Sequence, residues 1–340
     1  MSYFRHIHSL EKFPELLSRE QRWLLLINAD PDAMASALAL KRILRRRVQV
    51  AEIAKVNILT RPDNLAMVRY TRLRMKDFTE DLPAAFDRFA LLDSQPDHHP
   101  VFGRLPFTLL LDHHPLPATP LKDIPFVEIR PEYGATSTLL TELLYNLNIR
   151  PDKYLATALQ FGIKTDTDNF GRHFYDVDLR AFQYLSRFAD AALLARIARS
   201  EFHERRLHVF ARACTGLHKI GVSGRHVHVG KVDTPDILVN VADFFMRVYE
   251  IRWIAVSGRY GDTLVIIFRG DGIGRDLGAL AARAFGDLGS AGGHKAMARA
   301  EFPIASAGAE DLGELIRKRL TGHRTGGVKR TPPPVRTGAD

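Results

Sequence analysis

Acidic residues and histidines follow several apolar runs in the first half of the chain. They are Asp30 and Asp32 after residues 23–29, Asp93 after 88–92, Asp112-His113-His114 after 107–111, and Asp166 after a predicted helix. Carboxylate oxygens with one or two imidazoles suit Mn²⁺ or Mg²⁺ better than a metal that selects thiolates. The pattern therefore predicts a metal-dependent hydrolytic site that holds one or two ions.

The apolar runs explain how these side chains could meet. In an open α/β sheet, ligands bind at the carboxyl ends of the strands, which is where these acids stand. Taken alone, the position of Asp32 favours a helix N-terminal cap over a metal ligand. Because the arrangement recurs after three runs, we favour a shared site over three unrelated caps.

Alternating apolar runs and helical patterns predict a first domain with a mostly parallel sheet flanked by helices. The predicted strands are 23–29, 48–53, 88–93, 106–112 and 125–129. The predicted helices are 33–47, 62–75, 135–147 and 151–163. The fold class is thus α/β.

A helical pattern over residues 177–213 then predicts a connector, and a smaller mixed α/β domain follows. Its predicted strands are 226–231, 251–258 and 263–269, and its predicted helices are 235–248, 275–285 and 310–321. The segment 286–294 carries four glycines and is expected to be irregular. The predicted boundaries are 1–176 for the first domain, 177–213 for the connector, 214–322 for the second domain and 323–340 for a disordered basic tail.

Composition narrows the class of protein. The net charge is +9, but three of these units come from residues 324–340. The cluster from Lys41 to Arg47 stands at a predicted helix end, where cations complement the macrodipole, so only a mild preference for anionic ligands is left. A single cysteine, Cys214, excludes an internal disulfide framework, and no apolar run is long enough for a membrane span. A cytoplasmic protein without a membrane partner is expected, because the charged N-terminus does not look like an export signal.

Together these motifs resemble those of the DHH phosphoesterase superfamily. Asp30-x-Asp32, Asp93, Asp112-His113-His114 and Asp166 occur in the family's order, and Gly292-Gly293-His294 looks like the signature of its C-terminal DHHA1 domain. The similarity spans roughly residues 20 to 305. It is closest to oligoribonuclease and pAp-phosphatase-like members, and more distant from RecJ-type exonucleases and family II pyrophosphatases.

The resemblance implies a role for each matched residue. Asp93 would bridge two metals, Asp32, His113 and Asp166 would complete one site, and Asp30 would bind the other. His114 would act at the scissile phosphate, with Asp112 orienting the histidines. In the second domain, Arg269 and the Gly292-Gly293-His294 loop would bind the substrate's terminal phosphate or backbone.

One expected ligand is missing. The family places a histidine four residues before Asp30, where this chain has Leu26. Asn28, or His6 and His8 from the N-terminal segment, are the substitutes that the sequence offers. The alternative is a nucleotide-binding protein of the same fold that has lost its turnover.

A second Asp-His-His motif and four aromatic residues bear on these alternatives. The second Asp-His-His, Asp97-His98-His99, lies between prolines without a preceding strand and is interpreted as a surface loop. Degradation of long single strands would need aromatic stacking platforms, but Phe244, Phe245, Tyr249 and Trp253 have apolar neighbours that favour core packing.

The leading expectation is an enzyme, a Mn²⁺-dependent phosphodiesterase or phosphatase acting on small nucleotides or very short oligonucleotides. The alternatives are the inactive binding protein and the single-strand exonuclease. A homodimer is one assembly that the sequence leaves open.

Overall fold

A computed structural model describes residues 3–4, 7–117, 121, 123–171, 173–200, 202–308 and 311–322. The chain divides into two compact units, Met1–Phe202 and His203–Asp340. The division falls inside the predicted connector. The predicted tail, 323–340, lies outside the described residues. Among the residues that the structure describes, no helix is long and apolar enough to cross a membrane.

The first unit is built on a six-stranded parallel sheet. Its strands are β1 (Arg22–Ile27), β2 (Val50–Lys55), β3 (Lys76–Asp77), β4 (Arg88–Leu92), β5 (Leu109–Asp112) and β6 (Phe126–Ile129). Their spatial order is β3-β2-β1-β4-β5-β6, with every neighbouring pair parallel. The chain leaves β1 and β4 toward opposite sides of the sheet, which opens a crevice at their carboxyl ends.

Helices and short 3-10 segments cover the two faces of this sheet. The helices are α1 (Pro31–Leu44), α2 (Pro62–Thr71), α3 (Thr136–Asn146), α4 (Lys153–Asp166), α5 (Asp176–Leu185) and α6 (Ala191–Ala198). Alternate side chains of β1 serve the two faces, as strand geometry requires. Trp23, Leu25 and Ile27 join the core under the helices, while Leu24 and Leu26 join a second core on the other face.

The second unit is a mixed α/β layer. Its strands are β7 (His218–Ile220), β8 (Gly224–Lys231), β9 (Trp253–Tyr260), β10 (Thr263–Gly270), β11 (Ser290–Gly293) and β12 (Met297–Pro303), in the order β11-β12-β10-β9-β8-β7. Only β8 and β9 pair in parallel among these described strands. The helices α7 (Leu207–Thr215) and α8 (Asp236–Phe245) pack on one face, and α9 (Leu277–Phe285) and α10 (Leu312–Thr321) on the other.

The predicted fold class is confirmed. Several details of the prediction are wrong. The glycine-rich segment 286–294 contains the edge strand β11, because the small residues Ser290 to Gly293 pair with β12. Tyr249 is 96% exposed and Phe244 38% exposed, so neither is a core residue, whereas Phe245 and Trp253 are buried. Tyr249 lies beyond the end of α8, on the surface of the second unit.

Candidate metal centre

The carboxyl ends of β1, β4 and β5 and the last residue of α4 supply the side chains of one cluster. Ligand atoms of Asp32, Asp93, His113 and Asp166 all lie within 4.8 Å of one another. A second, overlapping group joins Asp93 to His113 and His114 within the same limit. The structure thus brings together residues that lie up to 134 positions apart in the chain, as the motif pattern predicts.

Asp32 is anchored by the start of α3. Its two carboxylate oxygens accept hydrogen bonds from the backbone N–H groups of Thr136, at 2.6 Å, and Ser137, at 2.7 Å. The N-terminus of a helix offers such unpaired donors and a favourable dipole for an anion. The interpretation of Asp32 as the cap of α1 is wrong, because it is Asp30 that accepts from Ala33 N in the capping position.

Asp93 occupies the position directly after β4 in a left-handed conformation, with φ 54°. This conformation is uncommon for a residue with a side chain, and it is a form of strain found at functional sites. The hydroxyl of Thr136 donates to Asp93 Oδ1 at 2.8 Å. Nε2 of His113 lies 3.5 Å from the same oxygen.

His113 is oriented as a metal ligand would be. Its Nδ1 lies 3.2 Å from the carbonyl oxygen of Tyr133, which a protonated nitrogen contacts favourably. Nε2 is buried and directed at Asp166 Oδ2, 3.2 Å away. Burial by itself would lower the pKa of His113, but the hydrogen bond and charges of Asp166 and Asp32 raise it to about 9.

The carboxylates repel one another. Burial, followed by the charge of Asp166, raises the pKa of Asp30 to about 6 and that of Asp32 to about 7. Burial and the neighbouring carboxylates also raise the pKa of Asp93 well above its usual range. A buried set of mutually repelling oxygens beside a buried imidazole nitrogen fits a divalent cation that prefers oxygen and nitrogen ligands.

Asp112 and His114 form a pair beside this cluster. Asp112 is fully buried; its Oδ1 accepts from His114 Nδ1 at 2.8 Å, and its Oδ2 accepts from Gln95 Nε2 at 2.7 Å. Burial would raise the pKa of Asp112, but these bonds together lower it. The bond to Asp112 raises the pKa of His114, whose side chain is 41% exposed. Nε2 of His114 therefore stays protonated to higher pH and is the nitrogen open to a substrate.

The second Asp-His-His motif, predicted to be a surface loop, lies next to the candidate metal centre. Residues Pro96–His98 form a 3-10 turn in which Asp97 is exposed, as predicted. The ring of His98, however, lies 5.3 Å from that of His114 in an edge-on arrangement. Its Nδ1 accepts from the backbone N–H of Gln95. The buried Gln95 links the two motifs, a contact that no local pattern indicates.

Leu26, at the position of the histidine expected from the family resemblance, is a core residue. Leu26 is fully buried in the cluster on the sheet face opposite the helices. Asn28 is exposed, while His6 and the side chain of His8 lie outside the described residues. Asp30 is absent from both ligand groups found among the described residues. Asp168 sits in the turn after α4 with φ 48°, consistent with a turn residue.

Sequence reasoning missed the supports from the start of α3. Tyr133, Thr136 and Ser137 hold the ligands through a carbonyl, two N–H groups and a hydroxyl. Gly162 of α4 makes room for them, since a Cβ there would overlap Ser137 Oγ and lie 3.1 Å from Asp32 Cα. The run of small hydroxyl residues from Thr136 to Thr138 after Gly134 was the available signal.

The predicted substrate residues lie in the second unit. Gly293 ends β11 with φ 147°, and a Cβ there would collide with the backbone around Met297. The exposed His294 follows in a tight turn, with its N–H bonded to Met297 O at 2.7 Å. Arg269 donates from Nε to Asp243 at 2.9 Å, so its guanidinium is already paired. Gly292 has open space on its Cα.

Two known proteins are similar to this chain in sequence. The uncharacterized protein MJ1633 of Methanocaldococcus jannaschii is 30% identical over 309 residues, 91% of this chain and 63% of that protein. MJ0988 of the same organism is 28% identical over 51% of this chain and 52% of that protein. The chain therefore spans less than two thirds of the length of these relatives.

A solved structure has the same fold. An exopolyphosphatase-related protein from Bacteroides fragilis superimposes with a TM-score of 0.63 and 15% identity, covering 93% of this chain and 96% of that one. Residues 26–163 match the DHH family, N-terminal domain. This range includes every residue of the two ligand groups except Asp166, which follows it by three positions. The similarity to this family therefore lies within the first unit of the chain.

Proposed function

We propose that the chain is a phosphoesterase that uses Mn²⁺ or Mg²⁺ to hydrolyse phosphate esters of small nucleotides or very short oligonucleotides. The observation that carries the proposal is the buried cluster itself, in which Nε2 of His113 lies among the carboxylates of Asp32, Asp93 and Asp166 with all four ligand atoms within 4.8 Å of one another. Burying three carboxylates this close together costs free energy through desolvation and repulsion, and a bound cation would offset that cost. Similarity to the DHH family supports the same chemistry.

Each residue has a place in this scheme. Asp32, Asp93, His113 and Asp166 would hold the cation. When bound, divalent cations supply charge that neutralises phosphoryl oxygens and lower the pKa of water. The backbone donors of α3 keep Asp32 oriented, and the hydroxyl of Thr136 does the same for Asp93. Such support narrows the range of ligand geometries and raises affinity.

His114 would act on the substrate. Its Nδ1 proton is held by Asp112, which is in turn fixed by Gln95. The proton on Nε2 can then be donated to a phosphoryl oxygen or to the leaving oxygen, as general acids do. Asp112 is a positioning residue in this account.

The second unit is proposed to bind the non-reacting part of the substrate, as a DHHA1 domain of the oligoribonuclease and pAp-phosphatase-like type would. The glycine turn exposes His294, whose imidazole can donate to a phosphate. Arg269 would have to exchange its bond to Asp243 for one to the substrate. That exchange favours a charged, bidentate partner.

The test uses purified full-length protein and a model phosphodiester. We expect hydrolysis that requires Mn²⁺ and is abolished in Asp93→Asn. The matched control is Asp97→Asn, which removes an exposed acid from the other Asp-His-His motif and should hydrolyse at the wild-type rate. Equal silence of the wild type and Asp93→Asn across a nucleotide panel would contradict the catalytic proposal.

A second candidate is a nucleotide-binding protein without turnover. Leu26 favours it, because a fully buried leucine at the expected histidine position leaves one cation short of a ligand. Nucleotide binding without hydrolysis in the wild type, together with hydrolysis in Leu26→His, would select this candidate. A wild type that already turns over would reject it.

A further inference from the structure

A second cavity lies in the first unit, away from the metal centre. It has a volume of about 500 Å³ and is lined by the end of α1, the start of β2, the end of α2 and the start of α4. This size is in the range of small-molecule sites. α1 begins beside the metal ligands and ends at the cavity, and its 14 residues span about 21 Å. The cavity and the metal centre therefore lie at opposite ends of the same helix.

Five cations surround this cavity and one carboxylate lines it, among the residues that the structure describes. The cations are Lys41, Arg42, Arg45, Arg46 and Arg72. The carboxylate is Asp152, whose Oδ1 already caps α4 by accepting from Tyr154 N and Leu155 N, each at 3.1 Å. The cavity therefore has a surplus of positive charge.

Three arginines of the cavity have no acidic partner among the described residues. In the described part of the chain, no ion pair joins Arg42, Arg45 or Arg46 to a carboxylate. A role in neutralising the end of α1 would predict hydrogen bonds to its last carbonyls. Arg47, which does not line the cavity, makes that bond, to Ile43 O at 3.2 Å.

Backbone conformation supports a use for these side chains. Arg46 and Arg72 both have left-handed backbones, with φ 66° and 59°. Glycine occupies such positions at helix ends without strain. The presence of arginine at both indicates that the side chain contributes something that glycine would lack.

One wall of the cavity suits an apolar or flat group. The guanidinium of Arg72 lies 4.8 Å from the ring centroid of Tyr154, a cation–π contact that holds both groups in place. Leu44 and Leu155 are buried and line the floor. Burial also lowers the pKa of Lys41, against the charge of Glu52, so this cation is partly desolvated. The ordered guanidinium of Arg72 beside an apolar floor lowers the cost of binding an anion that has an apolar body.

We infer that this basic pocket binds an organic phosphate of nucleotide size, with its phosphates on the arginines and its ring against Tyr154 and the leucines. The inference does not depend on the proposed function, because the pocket contains none of the metal ligands. The end of α1 and the start of α4 line it, and the same helices carry Asp32 and Asp166 at their other ends.

The test measures binding of a fluorescent N-methylanthraniloyl ATP to the full chain in EDTA, by anisotropy. We expect the double variant Arg45→Ala/Arg46→Ala to raise Kd at least about tenfold, the effect of losing charged contacts to phosphate. The matched control, Arg19→Ala/Arg180→Ala, removes two exposed cations elsewhere in the same unit and should change Kd less than about twofold. Tyr154→Leu should also weaken binding.

Several results would overturn the inference. They are no binding by the wild type in EDTA, equal weakening by the control pair, and loss of binding in His294→Ala, which would place the probe in the second unit. Competition adds a further arm. Unlabelled ATP should displace the probe at lower concentration than inorganic triphosphate, and equal potency would reject an organic ligand.

Discussion

The pH dependence of metal binding follows from the state of His113. Its pKa is about 9 without a cation, so Nε2 carries a proton at neutral pH. A cation must displace that proton, because a ligand nitrogen has to be neutral. The neutral fraction is roughly 0.1% at pH 6 and roughly 10% at pH 8, so His113 alone should raise the affinity for Mn²⁺ about a hundredfold over this range.

Asp32 makes the dependence steeper at the acid end. Its pKa of about 7 means that below pH 7 it too must release a proton to solvent when the cation binds. Together His113 and Asp32 should contribute a slope of about 1 at pH 8 and about 2 at pH 6 to a plot of log affinity against pH. Both groups act in the same direction, since protons and cations compete for the same atoms.

The assay is isothermal titration with Mn²⁺ at several pH values, each in two buffers of different ionisation enthalpy, which counts the protons released. His113→Asn should bind more weakly and with a slope lower by about one proton. The control His208→Asn removes an exposed histidine of the second unit and should match the wild type. A wild-type slope near zero between pH 6 and 8 would refute the assignment of His113 as a protonated ligand.

Three further outcomes are expected. Gly162→Ala should weaken Mn²⁺ affinity, measured by titration, because its Cβ would displace Ser137 at the centre; unchanged affinity would show that the close packing is not needed. Thr136→Val should lower the free energy of unfolding in urea by about 1 kcal/mol through loss of the bond to Asp93, and an unaltered midpoint would deny that bond. Burial, with nearby cationic groups, lowers the pKa of His226 to about 3, so the imidazole gains a proton on unfolding below about pH 6.5. As the pH is lowered from about 6.5 to about 3, the free energy of unfolding should therefore decrease by up to about 1.4 kcal/mol per pH unit from this group. A His226→Gln variant with an identical decrease would contradict this expectation.

Local patterns predicted the elements that carry the ligands. Apolar runs ending in acids indicated β1, β4 and β5, and their carboxyl ends meet as a parallel sheet requires. The order of these strands follows from short right-handed connections. The identity of the ligands was therefore readable because each is tied to the end of an element.

The residues that hold the ligands in place could not be predicted from local patterns. Thr136 reaches Asp32 across 104 positions and Asp93 across 43, and these contacts depend on how α1 and α3 pack. His98 was set aside because its neighbours are turn residues, yet Gln95 ties that turn to Asp112. The strand β11 was missed because glycine and alanine carry no strand propensity, and pairing with β12 decides its conformation.

The basic cluster 41–47 shows the same limit. The sequence allowed it to be a helix terminus neutralised by cations. Only the turn of Arg72 and the start of α4, distant in sequence, create a cavity between the cations. The cavity between these charges thus depends on tertiary packing, which composition cannot predict.

The central claim is that a divalent cation binds between Asp32, Asp93, His113 and Asp166. Crystals soaked in Mn²⁺ and measured at the manganese absorption edge test it most directly. We expect an anomalous peak within coordination distance of all four residues and none at that place in Asp93→Asn. A wild-type crystal with no peak among these residues, or with its strongest peak elsewhere, would show that no cation is held by this cluster.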